Sequence, residues 1–168
     1  MKTSSLKHIC ASLDRHHVRF LLAGGLAVNA HGYLRFTKDA DIAIELVPEN
    51  IERAFAALTE AGYQPNVPIS AHDFSDATMR AVWVGEKNMS VLQFWSDEHR
   101  ETPVDVFVTL PFDFNSEYAA SMKKELSGIG PVGIVSLSTL IRMKEAVGRE
   151  QDLIDVRELR RMHESKNE

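Results

Sequence analysis

Two aspartates placed two residues apart at the head of an alternating segment constrain this chain more than any other feature. From Asp39 to Val47, Ala40, Ile42 and Ile44 fall on one face and Asp39, Asp41 and Ala43 on the other. That is the pattern of a strand with one apolar face and a polar edge near its start. Residues i and i+2 of a strand point the same way, about 6–7 Å apart. Carboxylates so placed repel one another unless a cation lies beside them. Hard, oxygen-seeking Mg²⁺ is the natural one. A third carboxylate, Asp105, stands within Pro103-Val104-Asp105-Val106-Phe107-Val108. An unpaired charge in so apolar a frame is expensive. Facing the pair across strands, Asp105 would complete a cluster able to hold two divalent ions about 4 Å apart. The structural alternative has Asp39 simply beginning a strand and Asp41 pairing with Arg35 or Lys38.

The rest of the chain supplies a frame for such a cluster. Leu6, Ile9, Cys10 and Leu13 recur at helical spacing up to about His16. Val18 to Leu22 reads as a buried strand ending at Ala23-Gly24-Gly25. Leu26 to His31 reads as a short helix with Gly32 as its cap. Tyr33 to Lys38 is a loop. Pro48 opens a helix to about Ala61. Residues 63 to 88 are hard to read: Asp76 to Val84 suits a helix, while Trp83-Val84 is strand-like. Ser90 to Trp95 and Val104 to Leu110 read as neighbouring strands. A helix around Phe114 to Lys123 and a strand from Val132 to Val135 follow. Ser136 is placed as the N-cap of a helix over Leu137 to Val147. After Gly148, a last helix runs from Arg149 to about Met162, and the polar tail is expected to fray. These elements predict an α+β (α/β) fold, a mixed sheet of about five strands flanked by helices. One domain, 1–168, is expected, with an α/β core at 1–135 and C-terminal helices at 136–168 packed on it.

Composition narrows the setting. A net charge of -5 gives no general basic surface for nucleic acid, although Lys123-Lys124 with Arg157, Arg160 and Arg161 could form a local patch. The single cysteine excludes an intrachain disulfide and points to a reducing compartment. No apolar run is long enough for a membrane span or a signal peptide, so a cytoplasmic protein is expected. Gly24-Gly25, after a strand and before a helix, offers backbone N–H groups to a phosphate; a plain tight turn is the alternative.

The ordered pieces Gly24-Gly25-Leu26-Ala27, His31-Gly32, Arg35, Thr37, Asp39-Ala40-Asp41-Ile42 and Val104-Asp105-Val106 resemble the nucleotidyltransferase superfamily related to DNA polymerase β. The finer pattern, with Ser136-Leu137, Leu140-Ile141, Lys144, Gly148-Arg149, Asp152-Leu153, Asp155 and Leu159, is closest to the bacterial minimal and AbiEii-type toxin nucleotidyltransferases. The resemblance implies a nucleotidyltransferase fold and transfer of a nucleoside monophosphate from an NTP. It implies two Mg²⁺ ions, or Mn²⁺ in their place, on Asp39, Asp41 and Asp105. Asp105 would also help to activate the acceptor hydroxyl. Nucleotide binding would fall to Gly24, Gly25, Arg35, Thr37, Lys144, Arg149 and Asp152, with Lys144 at the phosphates and Asp152 orienting it. Gly25 stands where many members have serine, so a hydroxyl is missing there. RNA such as tRNA, a protein or a small molecule are the acceptors left open. An antitoxin or a second copy of the chain are the partners left open. A non-catalytic nucleotide-binding or interaction module, and an antibiotic-modifying enzyme, are the competing functions.

On physical grounds alone Arg149, Asp152 and Asp155 share a helix face, which a solvated Arg149–Asp152 pair also explains. Leu137, Leu140, Ile141 and Met143 read as core. Trp83, Phe94 and Trp95 read as core too, with one of them a candidate for lining a nucleotide pocket. His31 near a helix end reads either as satisfying a carbonyl or as functional.

Overall fold

The computed structural model describes residues 1–164; the last residues of the expected 1–168 domain and of its fraying tail lie outside the described residues. Helix α1 (Thr3–Arg15) buries Leu6, Ile9, Cys10 and Leu13 against α3 (Pro48–Glu60). The Ser12 hydroxyl locks the two together by donating to the Ala57 carbonyl at 2.8 Å. Burial pushes the Cys10 thiol up to about 12, which makes it a core hydrophobe and not a nucleophile.

The sheet has seven strands, not about five, in the order β3-β4-β5-β2-β1-β7-β6. They are β1 (Phe20–Leu22), β2 (Ala40–Ile44), β3 (Gln64–Pro65), β4 (Val91–Trp95), β5 (Val104–Phe107), β6 (Met122–Leu126) and β7 (Gly130–Ile134). Pairs β2–β5 and β1–β7 are parallel, and the other neighbours are antiparallel. The two unforeseen strands are edges. In β3, the proline sits where no ladder hydrogen bond is needed. In β6, the central Lys123-Lys124-Glu125 are exposed and show no alternation. The helix expected over Phe114 to Lys123 therefore stops early, as α6 (Phe114–Ala120), and the chain turns into β6. Other strands are shorter than expected: β2 starts after Asp39, and β5 ends at Phe107.

Residues 63 to 88 resolve into β3, α4 (Ala71–Ser75) and α5 (Ala77–Lys87). Ser70 and Asp73 form a capping box on α4, and the Asp76 carboxylate caps α5. Trp83-Val84 is thus helical, with Trp83 and Phe94 buried as expected. Trp95 is 44% exposed, because it ends the second-outermost strand and faces outward.

The C-terminal helices are α7 (Leu137–Val147) and α8 (Glu150–Glu164). Ser136 caps α7 by accepting from the Thr139 N–H, and Gly148 ends it in the left-handed region at φ +67°. The buried Glu117 carboxylate ties this start to α6, accepting from the Thr139 hydroxyl at 2.6 Å. Helix α7 packs on α2 (Gly24–Ala30) and on α8. No helix among the described residues is long and apolar enough to cross a membrane.

Candidate active site

Strand register builds the centre of the site. Asp41 of β2 lies directly beside Asp105 of β5, and Asp105 lies beside Gln93 of β4. Paired residues share a face, so the three side chains form one row across the sheet. Gln93 Nε2 donates to Asp105 Oδ1 at 2.9 Å. Asp39 sits just before β2 and repels both other carboxylates. Burial pushes the Asp41 carboxyl up to about 7, reinforced by Asp39 and Asp105 and opposed by Lys144 and by the Gly25 N–H. Burial also raises Asp105, its Gln93 hydrogen bond pulls it down, and Asp39 pushes it up again. None of the three makes an ion pair among the described residues, so the Asp41–Arg35 and Asp41–Lys38 pairings do not form.

The glycine turn belongs to this centre more closely than expected. Gly24 and Gly25 are the first residues of α2, not a turn ahead of it. Gly24 has φ +54°, and a side chain there would overlap the Asp41 carboxylate, so only glycine fits. The Gly25 N–H lies close enough to that same carboxylate to favour its charged form. A Cβ on Gly25 would overlap the Thr37 hydroxyl and come within 3.2 Å of Arg35 Nη1. Thr37, itself buried, lies 3.5 Å from Asp39 Oδ1 through its hydroxyl.

A second cluster stands on the C-terminal helices. Lys144 Nζ lies 2.9 Å from Asp152 Oδ1 and 2.6 Å from Asp155 Oδ2. Arg35 grips both oxygens of Asp155, each at 2.7 Å, and Gln151 adds a third donor at 3.0 Å. Arg35, expected to help bind the nucleotide, is paired with Asp155 and also lines the cleft. Burial pushes the Asp155 carboxyl up, but hydrogen bonds from Arg35, Lys144 and Gln151 and the charge of Lys144 outweigh it, so its net position is below the ordinary value. Asp155 is fully buried; the sequence placed it in the C-terminal motif and on a helix face but assigned it no role. Asp152 pairs with Lys144 and not with Arg149, and its Oδ2 is buried with no hydrogen-bond partner among the described residues.

His31 satisfies the Val135 carbonyl from Nε2 at 2.8 Å, and burial, ahead of the charge on His163, lowers its basicity. It holds α2 to the end of β7 and stays outside the cleft.

One cleft of about 400 Å³ brings all the proposed residues together: Gly24, Gly25, Arg35, Thr37, Asp39, Asp41, Asp105, Lys144, Arg149 and Asp152 line it. Its volume suits a small ligand. Its apolar lining, which includes Phe36, Phe107, Leu140, Met143 and Val147, was not expected; Leu140 and Met143 read as core. Trp83, Phe94 and Trp95 do not line it.

By sequence, the chain matches no protein-family model and no curated protein. Its fold does match solved structures. It superposes on the lincosamide antibiotic adenylyltransferase LnuA, solved with lincomycin bound, with TM-score 0.59 and 16% identity over 95% of this chain and 97% of that one. The antibiotic-resistance factor ANT(2'')-Ia gives 0.59 and 14%, covering 94% and 81%. TM1012 from Thermotoga maritima, a candidate nucleotidyltransferase, gives 0.56 and 17%, covering 91% and 88%. At these identities the likeness establishes the architecture: the chain has a nucleotidyltransferase fold.

Proposed function

We propose that the chain transfers a nucleoside monophosphate from a nucleoside triphosphate to an acceptor hydroxyl, releasing pyrophosphate. The observation that carries this reading is the in-register pair Asp41–Asp105 with Asp39 beside it, an anionic floor without an ion-pair partner among the described residues. Such a floor is costly in a protein that never meets a cation, which favours an enzyme over a non-catalytic module. The donor set, hard carboxylate oxygens only, suits Mg²⁺ or Mn²⁺. Among the described residues no three His, Cys, Asp or Glu side chains form a group that could hold a metal ion as they stand. Phosphate oxygens of the nucleotide would therefore complete the coordination by Asp39, Asp41 and Asp105, as is usual for Mg²⁺. The bound metal would supply charge neutralisation on the phosphates.

The chain's own residues do the rest. Gly24 and Gly25 leave the floor open beneath the phosphates. Lys144, fixed by Asp152 and Asp155, and Arg149 present positive charge to the polyphosphate, and the Thr37 hydroxyl offers it a donor. The acceptor oxygen bonds to the α-phosphorus as the bond from that phosphorus to the bridging oxygen of the leaving pyrophosphate breaks. Asp105, oriented by the hydrogen bond from Gln93, takes the acceptor's proton.

A small-molecule hydroxyl is the acceptor that the fold relatives favour, since LnuA is described as acting on lincosamide antibiotics and ANT(2'')-Ia was solved with adenylyl-2''-tobramycin. An AbiEii-type affiliation with an antitoxin partner rests on the sequence motifs alone. The test is incubation with labelled NTPs, Mg²⁺ and either cell extract or hydroxylated small molecules, with Asp39→Ala as control. Label transferred by the wild type and lost in the variant is the expected result. The reading fails if neither protein transfers label and calorimetry finds no Mg²⁺-dependent NTP binding.

A further inference from the structure

The large apolar side chains most exposed to solvent are not scattered. Among the described residues the four highest exposures belong to Leu34 (80%), Phe36 (79%), Val147 (58%) and Leu153 (50%). All four lie on the segment before β2 or on the α7–α8 pair, the two regions that the Arg35–Asp155 ion pair joins. Phe36 and Val147 line the cleft, together with Met143; Leu34 and Leu153 do not.

The backbone at Phe36 is also pinned. The Asn29 amide clasps its neighbour Arg35, accepting from the Arg35 N–H at 2.8 Å and donating to the Arg35 carbonyl at 3.0 Å. The Arg35 guanidinium donates to the Phe36 carbonyl at 2.9 Å while gripping Asp155. On the other side, Thr37 is buried against Gly25. A solitary exposed apolar residue is ordinary on a protein surface. A ring exposed on a backbone pinned from both sides, in the wall of a cleft with an anionic floor, offers a flat apolar surface at little further cost in entropy.

Resting on the transfer reading above, we infer that Phe36 is the nucleobase platform: its ring stacks on the base of the bound nucleoside triphosphate, and Val147 and Met143 complete the apolar contact. The floor takes the triphosphate end of the ligand, and the apolar wall of the same cleft takes the end that carries no charge. Stacking is tolerant of which base is presented, so the platform sets affinity for nucleotides over bare polyphosphate and discriminates weakly among the bases.

The test is calorimetry in Mg²⁺ with two probes, a non-hydrolysable ATP analogue and inorganic tripolyphosphate, on the wild type and on Phe36→Ala, Phe36→Trp and Leu34→Ala. Phe36 is exposed, so its replacement leaves folding intact. Phe36→Ala is expected to weaken the ATP analogue about tenfold and tripolyphosphate by less than twofold. Phe36→Trp should restore the analogue's affinity, and binding should quench the new indole's fluorescence. Leu34→Ala should change neither probe. If the wild type binds the analogue and Phe36→Ala leaves that affinity unchanged, the platform is overturned and the transfer reading stands. Equal losses for both probes overturn it as well, placing the effect at the phosphates. If the wild type binds neither probe, the transfer reading falls and takes the platform with it.

Discussion

Asp41 and Asp105 on the strands with Asp39 just ahead of β2, and Asp152 and Asp155 on α8, are all aspartates of the same cleft or its wall, yet the protein treats them in opposite ways. The strand carboxylates meet no cation among the described residues, and burial holds the Asp41 carboxyl up at about 7. The helix carboxylates are matched by Lys144 and Arg35, and Asp155 is held below its ordinary value. The difference separates two jobs. A floor whose charge is left over is energetically poor until a ligand brings cations to it. A wall whose charges cancel is already settled and can hold Lys144 in place.

The largest effect should come from emptying the floor. Asp41→Asn removes one of the anionic donors and should lower nucleotidyl transfer on the order of a thousandfold, several kcal/mol of barrier, as measured with labelled NTP. Retained activity would mean the row is not where the reaction happens. Next in size is breaking the wall. Asp155→Ala takes the ion-pair partner from the half-buried Arg35 and leaves the buried Lys144 with Asp152 alone, and should cost about 3 kcal/mol of stability in urea unfolding. A loss under about 1 kcal/mol would show that the wall is not held by this network.

The two aspartates should also differ in how pH acts on them. With its folded pKa above the unfolded one, Asp41 binds a proton more readily in the folded state, so the metal-free protein gains stability as pH falls from about 7 towards 4. Asp41→Asn should therefore stabilise the metal-free protein at pH 8, on the order of 2 kcal/mol, and much less at pH 5, read by urea unfolding at both values. Asp155 has the reverse sign. Its folded pKa is depressed, so its contribution is present above its unfolded value near 4 and is lost as pH falls through the folded one. The smallest effect is thermal: millimolar Mg²⁺ should raise the melting temperature of the wild type at pH 8 by about 2–4 °C and leave Asp41→Asn unmoved, as read by differential scanning fluorimetry.

The floor was easier to read from the sequence than the wall. An aspartate inside Val104-Asp105-Val106 contradicts its frame, and Asp39 and Asp41 two apart on a strand contradict each other, so sequence spacing alone exposes the cost. Asp155 contradicts nothing. An acid one helical turn beyond Gln151 looks solvated, and only the three-dimensional return of Arg35, from 120 residues away, shows that it is buried. The same limit governs the sheet. Strands β2 and β5 announce themselves because each carries a run of apolar residues on a fully buried face, whereas β6 is solvated along its middle and β3 is two residues long, and neither carries a periodic signal. Phe36 lay in a loop, where an aromatic residue has no pattern to belong to.

The contact between Gly25 and Thr37 carries a lesson about exchange between distant parts of a chain. One small volume beside Asp39 is filled by the threonine hydroxyl, arriving from the loop, and residue 25 has no side chain to dispute it. The Cβ of a serine at position 25 would overlap that hydroxyl and push the threonine aside. The two positions hold a single vacancy between them. Residue 37 sets a hydroxyl in the cleft beside the position where residue 25 has none, and Gly25→Ser would need Thr37→Gly beside it to be accommodated.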